Sequence, residues 1–566
     1  MQKLHKHYST RHTPQSTPLT PDQVQMRSGG FGWEVDDWVR LDRFLVLGSE
    51  GGTYYVGARK LTRESAEAVV RCIRTDGARA VSRIVEISRA GRAPKNDPAL
   101  FALALAARLG DESTRAAAYR ALPQVARIGT HLFHFAEYAK AFGGLGGNGF
   151  KRALRRWYLG QEASKLAYQA VKYQQRDGWS YRDLLRLSHP RAEAEHQAVL
   201  RWIVKGWADA ERDVDLTQVS EATKIIWAFE RAKVTTSVKE LVQLITEHRL
   251  PHECVPGALK GEVAVWEALL QHMPPGAMIR NLNKMTSVGL LTNTSGATAR
   301  VRETLGSLEA LKRARIHPMA VLMALKTYAG GRGFRGSLTW TPVGRIVDAL
   351  DGAFYLAFGA VAPTGRRLCL ALDVSGSMGT GVSGTPLLSC REAAAAMALV
   401  TASVEPTYEI VAFTCAGVGG KVTAALRKLL GGGDRARAYG GSGITPLCIS
   451  PRQRLDDVVK VMTGLPFGGT DCALPMRWAL ATRTPVDAFV IYTDNESWAG
   501  EIHVDQALRD YRQGMGIGAR LVSVALSGDR FSVANPQDAG QLDVVGFDTS
   551  APDVISDFIG DRGSSN

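Results

Sequence analysis

The chain has 566 residues, and its 69 Lys and Arg against 55 Asp and Glu give a formal net charge of +14. That length exceeds what one hydrophobic core supports, so two or more domains are expected. Seven cysteines, an odd number with no C-x-x-C pair, argue against a disulfide framework and a zinc site and point to a reducing, cytoplasmic setting, while the longest apolar runs, such as 353–362 and 393–404, are too short for a membrane span.

Residues 1–25 are polar and rich in Pro and Thr, which predicts a flexible basic tail; His5, His7 and His12 are expected to be solvated there rather than to bind metal. After the mixed segment 33–55 the apolar spacing becomes helical. Segments 61–73, 78–88, 98–109, 112–122 and 131–142 carry apolar residues at i, i+3 and i+4, separated by Gly, Asp or Pro. Further helices are expected over 150–175, 181–187, 193–208, 217–233 and 238–248. Helix pairs recurring at this spacing suggest a solenoid of the HEAT kind, in which each pair buries its face only against its neighbours. The string GLGGNG at 144–149 matches G-x-G-x-x-G but follows a helical segment. A dinucleotide fingerprint must follow a strand, so a connector is the better reading.

The stretch 172–190, KYQQRDGWSYRDLLRLSHP, is read as a basic corner. Lys172 and Arg176 are four apart and are expected on one helix face, Gly178 ends that helix, Ser180 caps the next, and His189 lies where Pro190 forbids continuation. A helix carboxyl end favours the protonated imidazole, which adds charge toward a phosphate. Trp33, Trp38, Trp157, Trp179 and Trp202 are candidates for stacking on unpaired bases, although most are expected in the core.

Charge is unevenly distributed. From Arg366 onward 18 Lys and Arg face 21 Asp and Glu, which leaves a net +17 before that point. A basic block of that size favours a polyanionic partner.

After the connector at 362–365 the pattern becomes one of strands alternating with helices. The expected strands are LCLALD, TYEIVAF, DAFVIYTD and RLVSVAL, the mark of an α/β doubly wound sheet. The first ends in DVSGSM. A strand apolar on both faces lies inside a parallel sheet, where ligands bind at the carboxyl ends of the strands. Asp373, Ser375 and Ser377 there offer hard oxygens, Thr470 follows a glycine turn, and Asp494 ends another strand. Together they suit a divalent cation, Mg2+ above others. The set resembles the metal-ion-dependent adhesion site of von Willebrand factor A domains. Phosphotransferases with an Asp nucleophile need a second Asp where Ser375 stands.

The strings LGSEGGTYY, KYQQRDGWSYRDLLRLSHP, VWEALLQHMPPGAMIRNLNKMT, WTPVGRIVDALDGAFYLAF and GGTDCALPM resemble the Ro autoantigen family, RNA-binding proteins built from a TROVE module. The resemblance runs from about residue 20 to the end. It implies a multidomain chain: a tail over 1–25, an all-α HEAT-like helical-repeat ring (TROVE) over 26–362, and a von Willebrand factor A domain over 363–566. It further implies that Y-like small RNA binds the outer basic face at Lys172, Arg176 and His189. Misfolded or precursor RNA would enter the central hole by its single-stranded 3′ end, and an exoribonuclease such as polynucleotide phosphorylase would be a partner. A monomer is expected. The long histidine-bearing tail and the GGLGGNG segment depart from the family pattern. A metal-dependent hydrolase centred on Asp373 is the alternative, but no His or Glu base, HExxH or Walker loop accompanies the site. A pure adhesion module would not need the excess of positive charge.

Overall fold

A helix with no polar face organises the helical half. Asp97–Leu109, DPALFALALAARL, is buried from Pro98 through Ala107, as a helix apolar all round must be. Gly77–Ala90, Glu112–Val125 and Gly129–Ala141 pack round it. In this computed structural model the described residues are 12–560, apart from 27, 48–65, 94, 208–218, 334–336, 358–362, 383–387, 418–440, 452, 527–530 and 546–550. They divide into two compact units, one of residues 69–357 and one combining 1–68 with 358–566.

In the helical unit the expected segments form helices over their described residues, with one division; 61–65, 208 and 217–218 of those segments lie outside the described residues. The expected segment 150–175 is two helices, Asn148–Leu159 and Ala163–Lys172, because Gly160 ends the first with its N–H on the Arg156 carbonyl. Asp76, Asp111, Ser180, Ser220 and Ser237 each cap a helix by accepting a backbone N–H two or three residues on, typically worth about 1 kcal/mol apiece. Helices then pack on one another along the chain, on the next in sequence or on one further on. Glu112–Val125 lies on Asn148–Leu159, Ala163–Lys172 on Glu221–Val234, Val238–His248 on Val263–Leu270, Pro275–Ser287 on Pro318–Ala329, and the last of these on Gly344–Ala357. The series returns to its beginning, where the His317 imidazole bonds the Arg92 carbonyl at 3.2 Å. None of the described helices is long and apolar enough to cross a membrane.

The other unit is built on a six-stranded sheet. Its strands are β5 (Leu368–Asp373), β6 (Tyr408–Phe413), β7 (Ile444–Pro446), β8 (Ala488–Thr493), β9 (Arg520–Ala525) and β11 (Gln541–Val545), in the order β11-β9-β8-β5-β6-β7. All neighbours are parallel except β6 and β7. Both faces are covered. Cys369 and Ala371 point into a core with Leu474, Met476, Leu508 and Tyr511, while Cys390–Val404 packs against β5 from its own side. The four expected strands are present; β7 and β11 were not foreseen from the apolar pattern, and neither was β10 (Phe531–Ser532).

Residues 12–25 do not trail as a free tail. β1 (Gln23–Gln25) and β2 (Phe31–Glu34) form an antiparallel pair, and β2 then pairs with β10, Trp33 opposite Ser532. Arg43 in helix Asp37–Leu47 is wholly buried, bonded to the Phe531 carbonyl at 3.0 Å and to Asp543 at 2.6 Å. The segment from 26 onward therefore belongs with the sheet before the helical series begins. Composition concealed this, because a strap held by backbone bonds needs few apolar residues of its own. His5 and His7 lie outside the described residues; His12 pairs with Asp510 at 3.0 Å.

Two expectations follow. Removing one member of a buried ion pair strands the other, so Arg43→Ala should lower the stability of the sheet unit by about 3 kcal/mol or more, read as an earlier unfolding transition in denaturant. In the helical unit, burial holds His317 down to about 4 and His131 to about 3. Both rings are therefore neutral when folded and take up protons on unfolding below their ordinary value of about 6.5. The melting temperature of this unit should hold above that pH and fall as pH drops toward 4, and His317→Gln should flatten the fall; circular dichroism melts across the range measure it.

Candidate functional site

Asp373 ends β5 and Asp494 directly follows β8, the neighbouring parallel strand. The chain leaves β5 for β6 on one side and later returns to β8 on the other, so the two acids flank the switch point where open α/β sheets bind ligands. Asp373 has no exposed surface and Asp494 is 5% exposed. The Ser375 N–H donates to Asp373 Oδ1 at 2.8 Å and the Thr493 hydroxyl to Oδ2 at 2.8 Å. Burial, followed by the neighbouring Asp494 carboxylate, pushes the Asp373 carboxyl well above the usual range, and the two donated hydrogen bonds only partly oppose this. Like charges held together out of water call for a cation.

The hydroxyls suit one. Ser375 Oγ and Ser377 Oγ are 3.2 Å apart, close to the separation of about 2.9 Å between adjacent oxygens of an octahedral Mg2+ shell. Thr470 is buried, and its carbonyl accepts the N–H groups of Trp498 and Ala499 at 3.0 Å each, which ties its loop to the one after Asp494. The donors are thus two carboxylates and three hydroxyls, a hard-oxygen set. Among the described residues no group of three His, Cys, Asp or Glu side chains is poised for a softer metal. Sequence reasoning missed Thr493, the second-last letter of YTD, and Thr414, whose hydroxyl accepts the Gly468 N–H and donates to the Gly469 carbonyl, both at 2.8 Å. Each follows or ends a strand, which is the signal that could have found them.

The basic corner differs from the expectation in one respect. Lys172 is the last residue of its helix, and Arg176 is not on it. β3 (Gln175–Arg176) and β4 (Trp179–Ser180) form a hairpin in which Asp177 and Gly178 both take left-handed backbone, φ 51° and 78°. Asp-Gly is the preferred pair for such a two-residue turn, so turn chemistry overrides helix continuation. The hairpin is fixed to helix Gly129–Ala141 by Asp177, which bonds the His134 imidazole, and by the Trp179 indole N–H on Glu137 at 2.9 Å. Arg176 stays 60% exposed. As expected, Ser180 caps Tyr181–Ser188, with a full capping box, and the helix stops at exposed His189, which takes left-handed backbone. The eight-residue helix Tyr181–Ser188, about 12 Å long, lies between the hairpin and His189.

Lys172 faces a different environment. Its ammonium lies over the rings of Tyr168 and Tyr173 at 5.6 and 5.3 Å. Burial, with Arg280 beside it, holds it below the usual lysine range, while Glu253 opposes. It lines a cavity of about 660 Å3 together with Tyr173, Arg280, Asn283, Arg315 and His317. Three cationic side chains, an amide and a ring on one concavity suit a phosphate-bearing chain with unpaired bases. Arg280 and Arg315 carried no signal in the sequence, because they lie far from Lys172 along the chain. Of the tryptophans, Trp33 and Trp157 are core, and Trp179 and Trp202 are committed to Glu137 and Glu230.

Comparison with known proteins adds the family. The TROVE domain pattern matches residues 24–327 and the Ro60 vWA domain pattern residues 367–559, so the class is a TROVE module followed by a von Willebrand factor A domain. The chain is 42% identical over 99% of its length to the RNA-binding protein RO60 of Deinococcus radiodurans, covering 99% of that protein. It is 34% identical to the RNA-binding protein RO60 of Caenorhabditis elegans, over 95% of this chain and 90% of that one. The crystal structure of the Deinococcus radiodurans RO (RSR) protein superposes with a TM-score of 0.69 at 40% identity, covering 93% of this chain and all of that one. The protein belongs to the Ro60 family.

Proposed function

We propose that this protein is the RNA-binding core of a small ribonucleoprotein. The observation that carries the reading is the end-to-end likeness to relatives named RNA-binding proteins. The exposed Arg176 and His189 and the three-cation cavity are its chemical support. In this reading structured, Y-like RNA contacts Lys172, Arg176 and His189 through its phosphates, and single-stranded 3′ ends of misfolded or precursor RNA are held by the cavity cations. The purpose is RNA quality control or processing, with an exoribonuclease such as polynucleotide phosphorylase as partner. The protein itself acts without catalysis. A divalent cation, Mg2+, is held by Asp373, Ser375, Ser377, Thr470 and Asp494, some through water.

Three outcomes test this. Replacing Arg176 and His189 with Ala should weaken structured small RNA, with on the order of 1 to 3 kcal/mol per strong contact, and lower the slope of log K against log salt by about 0.9 for each phosphate lost. Lys172→Ala should also weaken single-stranded RNA, since its ammonium lines the cavity. Filter binding at several salt concentrations separates the two; unchanged affinity for both RNAs in a variant with Lys172, Arg176 and His189 all replaced by Ala would remove this surface from the proposal. Adding Mg2+ to the full chain should raise its melting temperature, and Asp373→Ala should abolish that rise. End-labelled RNA incubated with protein and Mg2+ should remain intact; cleavage lost in Asp373→Ala would favour a hydrolase.

A further inference from the structure

The amino-terminal strap places one buried amide, that of Gln15, at the edge of the candidate metal site. Gln15 is 2% exposed. Its Nε2 donates to Asp471 Oδ1 at 2.8 Å and to the Ile502 carbonyl at 2.9 Å, while its Oε1 accepts the Ser497 hydroxyl at 2.7 Å and the Gly500 N–H at 3.3 Å. That is the full bonding capacity of a primary amide. Its backbone is tied too, with the Gln15 N–H on the Gly500 carbonyl and the Phe31 N–H on the Gln15 carbonyl, both at 2.9 Å.

The two loops it joins carry candidate ligands. Asp471 follows Thr470, and Ser497 lies three residues after Asp494. Ser497 Oγ also accepts the Cys472 N–H at 3.0 Å, so Gln15 completes a cross-tie between the loops. The strap presses on the same point again at Gly30, where a Cβ would sit 2.0 Å from the Ser497 carbonyl oxygen, and Ser28 donates its N–H to Glu496 at 3.0 Å. A cation site requires ligand oxygens held within about 0.5 Å. The Thr470 carbonyl already joins these loops by backbone bonds to Trp498 and Ala499, and the Gln15 amide adds a side-chain tie between Asp471 and Ser497.

We infer that Gln15 is a positioning residue for the metal site: the strap sets the distance between the Thr470 and Asp494 loops and so sets cation affinity. The inference rests on the proposed cation site. Groups that support ligands in this way typically change metal affinity 10- to 100-fold when removed.

The test uses the full chain and Mn2+ as probe, with affinity measured by calorimetry and the melting temperature of the metal-free protein recorded beside it. The parent should bind Mn2+ and Asp373→Ala should not. Gln15→Ala should bind roughly 10-fold more weakly with a metal-free melting temperature close to the parent's. If Gln15→Ala fails to fold, Ser497→Ala, which cuts the same tie from the other loop, is judged by the same criterion. A tie-cutting variant that folds and binds Mn2+ as tightly as the parent overturns the positioning role while leaving the site intact. If the parent itself binds no Mn2+, the site falls and this inference with it.

Discussion

Two carboxylates withdrawn from water set the constraint on the sheet unit. Asp373 and Asp494 lie at the carboxyl ends of adjacent parallel strands, where the sheet's own topology puts them. Each buried charge is costly unless it is neutralised or heavily bonded. The surrounding chain answers with hydroxyls and backbone N–H groups: Thr493 and Ser375 on Asp373, and the Glu496 N–H on Asp494 at 3.2 Å. Those bonds require the loops after β5 and β8 to turn tightly. Asn495 does so in left-handed backbone at φ 65°, with its side chain fixed by Ser523 and by the Phe531 carbonyl.

The helical unit obeys a different constraint, continuity of apolar burial. Each amphipathic helix buries its apolar face on other helices of the series, and the start of Pro318–Ala329 meets the segment after Gly77–Ala90 through His317, a neutral imidazole on the Arg92 carbonyl. Cations are then left where helices end. Lys172, the last residue of its helix, sets its ammonium over two tyrosine rings at a cavity wall. Arg176 and His189 sit at a hairpin and a helix terminus, held by Asp177 and by an Arg155 side chain that bonds the Ser188 carbonyl at 2.6 Å.

Local chemistry in the sequence determined much of this protein. The change from helix after helix to strands alternating with helices marked the two architectures, LCLALD announced a buried parallel strand, and DVSGSM with the acid ending VDAFVIYTD located both halves of the oxygen cluster. Ser180 and Pro190 bounded a helix correctly because capping and the missing proline N–H act within a few residues. The same local rules, applied incompletely, carried a helix past Arg176 to end at Gly178, where Asp177-Gly178 wrote a two-residue turn.

Tertiary structure alone decided the rest. That Gln15 would lie against Asp471, that β2 would pair with β10, and that Arg280 and Arg315 would share a concavity with Lys172 are contacts between residues far apart in sequence. No periodicity encodes such partners. A polar strap held by backbone and amide hydrogen bonds has the composition of a free tail until the surface that satisfies its bonds has folded.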